Sequence, residues 1–229
     1  MSRILCKQCQ RPTIACICDF TCKINNQISV LVLQHPSEVK QTKGTVALLS
    51  RSLSHCQVFV GEDFSQHAEL NNLLSNHQAL LLYPSPEAQV LPLTKNTLNS
   101  ISLDDDEKRQ QPKLLILLDG TWKKAYRMFM LSSNLQALAQ VCLPEKLANG
   151  GQYLIRKVAK KNALSSLEAC CFALALLEDE LNKNKLVDNE LNTEIFNNMQ
   201  QGINFGIYQD LLNKFTQFNQ FQLSFRAPK

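Results

Sequence analysis

The sequence predicts an α/β fold, a mostly parallel sheet with helices on both faces, and three observations carry that prediction. Residues 113–118 form an unbroken apolar or aliphatic-stemmed run between Pro112 and Gly120, as a strand covered on both faces requires. Further apolar runs precede it at 28–33, which is β-branched, 57–60 and 79–83, and another follows at 138–143. Between them lie segments with helical period, at 43–54, about 65–76 and from Trp122 onward, so strands and helices alternate along the chain.

The central run ends in Asp119, Gly120, Thr121 and Trp122. Gly120 permits a sharp turn, Thr121 can cap the helix that follows, and Trp122, Ala125, Tyr126, Phe129 and Met130 recur on one helical face. Ligands in open α/β sheets bind beyond the carboxyl ends of the strands, which places Asp119 at a candidate active site; a local turn cap is the plainer reading of the same acid. His35, held by Pro36 at the end of the first strand, can face the same crevice or hydrogen-bond within its own loop.

Five of nine cysteines fall in the first 22 residues, and Cys6, Cys9, Cys16 and Cys18 form two short pairs. Each pair supplies two thiolates, and the loop between them brings the pairs around a tetrahedral zinc. Four sulfurs leave no open position for substrate, so the expected zinc is structural, clamping a segment of residues 1–24 ahead of a catalytic domain of 25–229. Cys22 is a possible substitute ligand. Cys170 and Cys171 sit inside an apolar helical run and are expected to pack.

Residues 91–111 are polar, acidic and aperiodic, which predicts a loop. Gly150-Gly151 precedes a Tyr153–Lys157 stretch, and Ser165 with Glu168 has capping-box spacing at the head of a helix running to Leu177. The tail, about 189–229, is rich in asparagine and glutamine and reads as helical with an irregular end.

A chain of 229 residues with 45% apolar content supports one good-sized domain. No run has the roughly 18–20 apolar residues of a membrane helix, and the start lacks the apolar core of a signal peptide; a cytoplasmic protein is expected. No glycine-rich dinucleotide fingerprint or phosphate loop is present, which argues against a nicotinamide dehydrogenase or a nucleoside triphosphatase. The net charge of +4 is too small to argue for nucleic acid. Its distribution says more: Lys123, Lys124 and Arg127 lie on one helix, and Arg156, Lys157, Lys160 and Lys161 form a second cluster, so a phosphate-facing surface forms if the two meet; solvated helix faces are the alternative.

Together these motifs resemble the DTW-domain family of tRNA-uridine aminocarboxypropyltransferases. The likeness rests on the cysteine cluster with Arg11-Pro12, the turn from Gln34 to Glu38, the Asp119–Trp122 motif, the Tyr153–Lys157 stretch and the element from Ser165 to Ala169, where Ser166 replaces the usual threonine and keeps its hydroxyl. It spans residues 6 to about 180. It implies a SPOUT-related fold with a C-terminal trefoil knot, S-adenosylmethionine as co-substrate and a uridine of tRNA as acceptor. It further implies Asp119, Thr121 and Trp122 as catalytic residues, with Asp119 removing or merely orienting the N3 proton. The donor would be held by His35, Gly120, Arg156, Ser165, Ser166 and Glu168, although Glu168 can equally cap its own helix. RNA would meet Lys123, Lys124, Arg127, Lys157, Lys160 and Lys161, with Trp122 stacking on the target base or, as is commoner for such a residue, packing under its helix. An RNA methyltransferase on the same scaffold and a non-catalytic zinc-stabilised RNA-binding module are the alternatives.

Overall fold

In the computed structural model, which describes residues 4–93, 112–148, 164–185 and 205–225, six parallel strands form one sheet in the order β2-β1-β5-β3-β6-β4. The strands are β1 (Ser29–Gln34), β2 (Cys56–Val60), β3 (Gln78–Leu82), β4 (Gln89–Val90), β5 (Lys113–Asp119) and β6 (Ala139–Cys142). The helices are α1 (Val46–Ser52), α2 (Ala68–Asn76), α3 (Trp122–Leu131), α4 (Ser133–Gln136), α5 (Glu145–Ala148), α6 (Ser166–Lys185) and α7 (Gln209–Ser224).

The apolar run of β5 is continuous because both of its faces are covered. Successive side chains point to opposite sides. Leu115 and Leu117 join Val30, Val32 and Leu80 in a core against α1, α6 and α7. Leu114 and Ile116 join Leu31, Leu33 and Leu81 in a second core, against α2, α3 and α4. The two-faced α/β arrangement expected from the alternation is therefore present, with β5 at its centre.

Strand limits fall within a residue or so of those expected, and one shift matters: β1 runs to Gln34, which pairs in register with Asp119 of β5. The sequence reading missed β4, α4 and α5. Each has only two to four residues, too few to show a period. Leu91 and Leu93, the start of the expected loop, are buried in the first core; residues 94–111 lie outside the described set. α6 extends past Leu177 to Lys185, and α7 supplies helix in the expected tail from Gln209 to Ser224, while residues 186–204 lie outside the described set.

The N-terminal segment docks on this body. Ile17 is buried in the first core, and Phe20 lies 5.7 Å from Phe218 and 5.1 Å from Phe221 of α7, ring centroid to centroid. Lys214 of α7 donates to the Asp19 carbonyl at 2.7 Å.

Candidate active site

After β1 the chain passes to α1 on one face of the sheet, and after the adjacent β5 it passes to α3 on the other. Two neighbouring strands whose connections part in this way leave a crevice at their carboxyl ends, the switch point at which α/β sheets take ligands. Asp119 closes β5 there, and the backbone N–H of His35 donates to its carbonyl at 3.0 Å.

The Asp119 side chain is 6% exposed, and both carboxylate oxygens are engaged. Ser166 Oγ donates to Oδ1 at 2.7 Å, and Gln34 Nε2 donates to Oδ2 at 2.9 Å. The carboxylate is thus aimed by donors from α6 and β1, two elements far from it in sequence. It is buried at this central position, whereas Trp122 is 60% exposed. The expectation that this tryptophan packs under its helix is corrected: Ala125 and Met128 turn inward, and Trp122 stands at the opening turn on the outer side.

Thr121 caps α3 by accepting from the Lys124 N–H at 3.4 Å. Gly120 is required by close approach: a Cβ there would lie 3.1 Å from Lys124 Cβ and 3.7 Å from His35 Cβ. The buried His35 accepts from the Ser37 N–H at Nδ1, which leaves its proton on Nε2, 2.8 Å from Glu62 Oε1. The other oxygen of Glu62 lies 3.3 Å from Arg127 Nε, and Lys124 Nζ lies 2.8 Å from Glu38 Oε1. Two of the three basic residues of α3 are thereby paired with acids of the loops after β1 and β2, while Lys123 is exposed.

At the head of α6, Ser165 donates from both N and Oγ to Glu168 Oε2 at 2.8 Å, and the Glu168 N–H returns to Ser165 Oγ at 3.1 Å. This is the capping box read from the spacing. Glu168 also borders a cavity of about 320 Å³ between α6 and α7, lined further by Phe172, Phe205, Gln209 and Asn213. Arg156, Lys157, Lys160 and Lys161 lie outside the described residues, as do Gly150, Gly151 and Tyr153.

The Sγ atoms of Cys6, Cys9, Cys16 and Cys18 all lie within 4.8 Å of one another, with Cys6–Cys18 at 3.8 Å and Cys9–Cys16 at 3.7 Å. A tetrahedron with zinc–sulfur bonds of about 2.3 Å has edges of about 3.8 Å, so the four sulfurs fit a zinc ion. Backbone N–H groups of Cys9 and Gln8 lower the Cys6 thiol to about 6, whereas desolvation and then the surrounding sulfurs push Cys18 up to about 12. Cys22 is not part of this cluster. Burial raises the Cys170 and Cys171 thiols, in keeping with packing residues.

Gln34 and Glu38 enter the sequence reading only as the ends of a motif turn, with no role given to either, and Glu62 is not singled out. The membership of that turn in the motif is the usable signal for the first two. Glu62 carries none, because its partners are assembled only by the fold.

A parallel α/β sheet with a buried, doubly held carboxylate at its switch point, beside the head of a helix, marks an α/β protein with a candidate ligand site at the carboxyl edge. The DTW domain matches residues 3–223, and the chain belongs to that family. The match extends through α7, beyond the span of the motifs in the sequence. The chain is 33% identical over 181 residues to tRNA-uridine aminocarboxypropyltransferase 2 of Drosophila melanogaster, covering 76% of this chain and 66% of that protein. The proteins of the same name from Mus musculus and Macaca fascicularis are 33% and 32% identical over 179 residues, covering 76% of this chain and 56% of theirs. The chain thus spans two thirds or less of the length of these relatives. No solved structure matches it. Among the described residues, no helix is long and apolar enough to cross a membrane.

Proposed function

We propose that this protein transfers the 3-amino-3-carboxypropyl group of S-adenosylmethionine to N3 of a uridine in tRNA. The observation that carries the reading is Asp119, held in the crevice by Ser166 and Gln34, in a chain of the DTW family whose relatives bear that activity in their name. The donor supplies a sulfonium-activated carbon: an N3–carbon bond forms, the carbon–sulfur bond breaks with its electron pair going to sulfur, and methylthioadenosine leaves.

Asp119 meets the N3 proton of the incoming base. With one donor already on each oxygen, the carboxylate keeps a fixed direction and still has lone pairs for one more donor. It takes the proton outright, or it accepts the hydrogen bond and orients N3 while solvent takes the proton. Selecting the aminocarboxypropyl carbon over the less hindered sulfonium methyl is a matter of position, and a carboxylate aimed by two elements suits that task. Arg156 is assigned to the donor's carboxylate and Ser166, through Asp119, to alignment. The solvent-facing Trp122 is free to stack on the target base. Ser165 and Glu168 shape the α6 head through Oε2 of the acid, and we assign Glu168, which borders the cavity between α6 and α7, to the donor's ammonium. The SPOUT-like knot belongs to the same reading; a donor-bound structure tracing residues 149–163 tests it.

The decisive test is incubation with S-adenosylmethionine and bulk tRNA. Methylthioadenosine release, lost in Asp119→Ala, supports the transfer. S-adenosylhomocysteine would indicate methylation instead, and neither product would indicate a binding module. Structural zinc on Cys6, Cys9, Cys16 and Cys18 predicts about one metal per chain. Chelation should then lower the melting temperature, and a folded protein with no metal would overturn the clamp.

A further inference from the structure

Four large apolar residues of α3 face solvent, and three of them lie one helical turn apart: Trp122 at 60% exposure, Tyr126 at 57% and Met130 at 51%. Helices in such a sheet normally turn their apolar stripe inward, and α3 does so with Ala125 and Met128. The second stripe is surplus to packing. It starts at the crevice, three residues after Asp119, and runs about 12 Å along the helix at 1.5 Å per residue.

Its surroundings identify the occupant. No acid occurs between Trp122 and Leu131, whereas Lys123 and Arg127 interleave with the aromatic residues. The platform also has a rigid underlay. Tyr83, at the carboxyl end of β3, stacks on Phe129 at 4.8 Å and 17°, and its hydroxyl is pushed up by burial and then by the neighbouring Tyr126. Flat, exposed rings interleaved with cations, on a helix that itself carries no acid, suit unpaired bases with their phosphates, where stacking supplies affinity without reading sequence. An apolar protein partner would leave the charge of the exposed Lys123 unanswered, since Arg127 already meets Glu62.

We infer that Trp122, Tyr126 and Met130 form a stacking platform for a single-stranded segment, with Trp122 nearest the modified uridine and Tyr126 and Met130 under the nucleotides that flank it. The inference rests on the proposed function for the identity of the strand. It adds that α3 holds the RNA mainly through its bases: Lys124 is committed to Glu38, and Arg127 shares Glu62 with His35. A loop, whose bases unstack at low cost, is accordingly the acceptor, and a duplex is not.

Trp122 is the sole tryptophan of the chain, so its emission reports directly on the platform. The full-length protein, without donor, is titrated with a uridine-rich single-stranded oligoribonucleotide, with its duplex, and with inorganic polyphosphate as a charge-only probe. Quenching by the single strand, little by the duplex and none by polyphosphate is expected. Tyr126→Ala should weaken single-strand affinity by roughly tenfold, with Tyr126→Phe restoring most of it. Since Tyr126 is exposed, an unchanged melting temperature confirms that the variant is folded. Unaltered emission at saturating RNA, or equal affinity in Tyr126→Ala, would overturn the platform, as would self-association that shifts the emission to the blue. Donor-free binding separates this from the reaction: a platform that quenches in a protein releasing no methylthioadenosine refutes the activity and leaves the platform standing.

Discussion

Asp119 owes its direction to two hydrogen bonds, and each can be removed alone. Ser166→Ala deletes the donor to Oδ1 and leaves Gln34 on Oδ2. Freed by one contact, the carboxylate gains rotational range, and misplacement on the ångström scale costs up to about 10²-fold in rate. Ser166→Ala should therefore lower kcat by roughly ten- to a hundredfold, with Ser166→Thr restoring it because the hydroxyl is kept; single-turnover kinetics check this. Gly120 is a second residue-scale case. An alanine methyl would press on Lys124 Cβ at 3.1 Å, and a helix Cβ cannot swing aside as a side-chain tip does. Gly120→Ala should cost about 1–3 kcal/mol in urea unfolding and displace the first turn of α3.

At the scale of elements, α3 is fixed from both sides. Its inner face packs on the second core, and its basic residues reach back to Glu38 and Glu62. The Glu38 side chain is only 4% exposed, so removing its cation leaves a nearly buried carboxylate short of one partner. Lys124→Met should destabilise the fold by about 1–3 kcal/mol, less than for a fully buried pair because the lysine is partly solvated. The exposed Lys123→Met, one residue away, should stay within about 0.5 kcal/mol, and paired denaturation curves decide between them. The periodicity of α3 was legible, including its apolar stripe from Trp122 to Met130. Which stripe turned inward was not, because an amphipathic pattern does not identify the face that a neighbouring sheet will cover.

For the whole molecule, the first core joins parts distant in sequence: the cysteine segment, α1, α6 and α7 all meet on one face of the sheet. Glu178 of α6 shows how the layers are locked, since its buried Oε1 accepts from the backbone N–H groups of Gln27 at 2.6 Å and Ile28 at 3.0 Å, at the entry to β1. Glu178→Ala should cost about 2–4 kcal/mol in a thermal or urea melt, because it strands two donors away from water. The same variant should leave metal content unchanged, as the four sulfurs lie on another segment.

The sequence by itself determined the alternation of strands and helices, the two-faced burial of β5, the cysteine tetrad and the placement of Asp119 at a carboxyl edge. Each of these is written in local spacing: period 2 or 3.6, gaps of two residues and of one within the thiol pairs, a glycine after an acid. The tertiary structure decided the strand order that puts β5 between β1 and β3. It brought Gln34 and Ser166 to the two oxygens of Asp119, tied Lys124 and Arg127 to glutamates of other loops, and left Trp122 facing solvent. Those outcomes depend on contacts between segments dozens of residues apart, and no local pattern records which side chain will stand opposite another once the layers close.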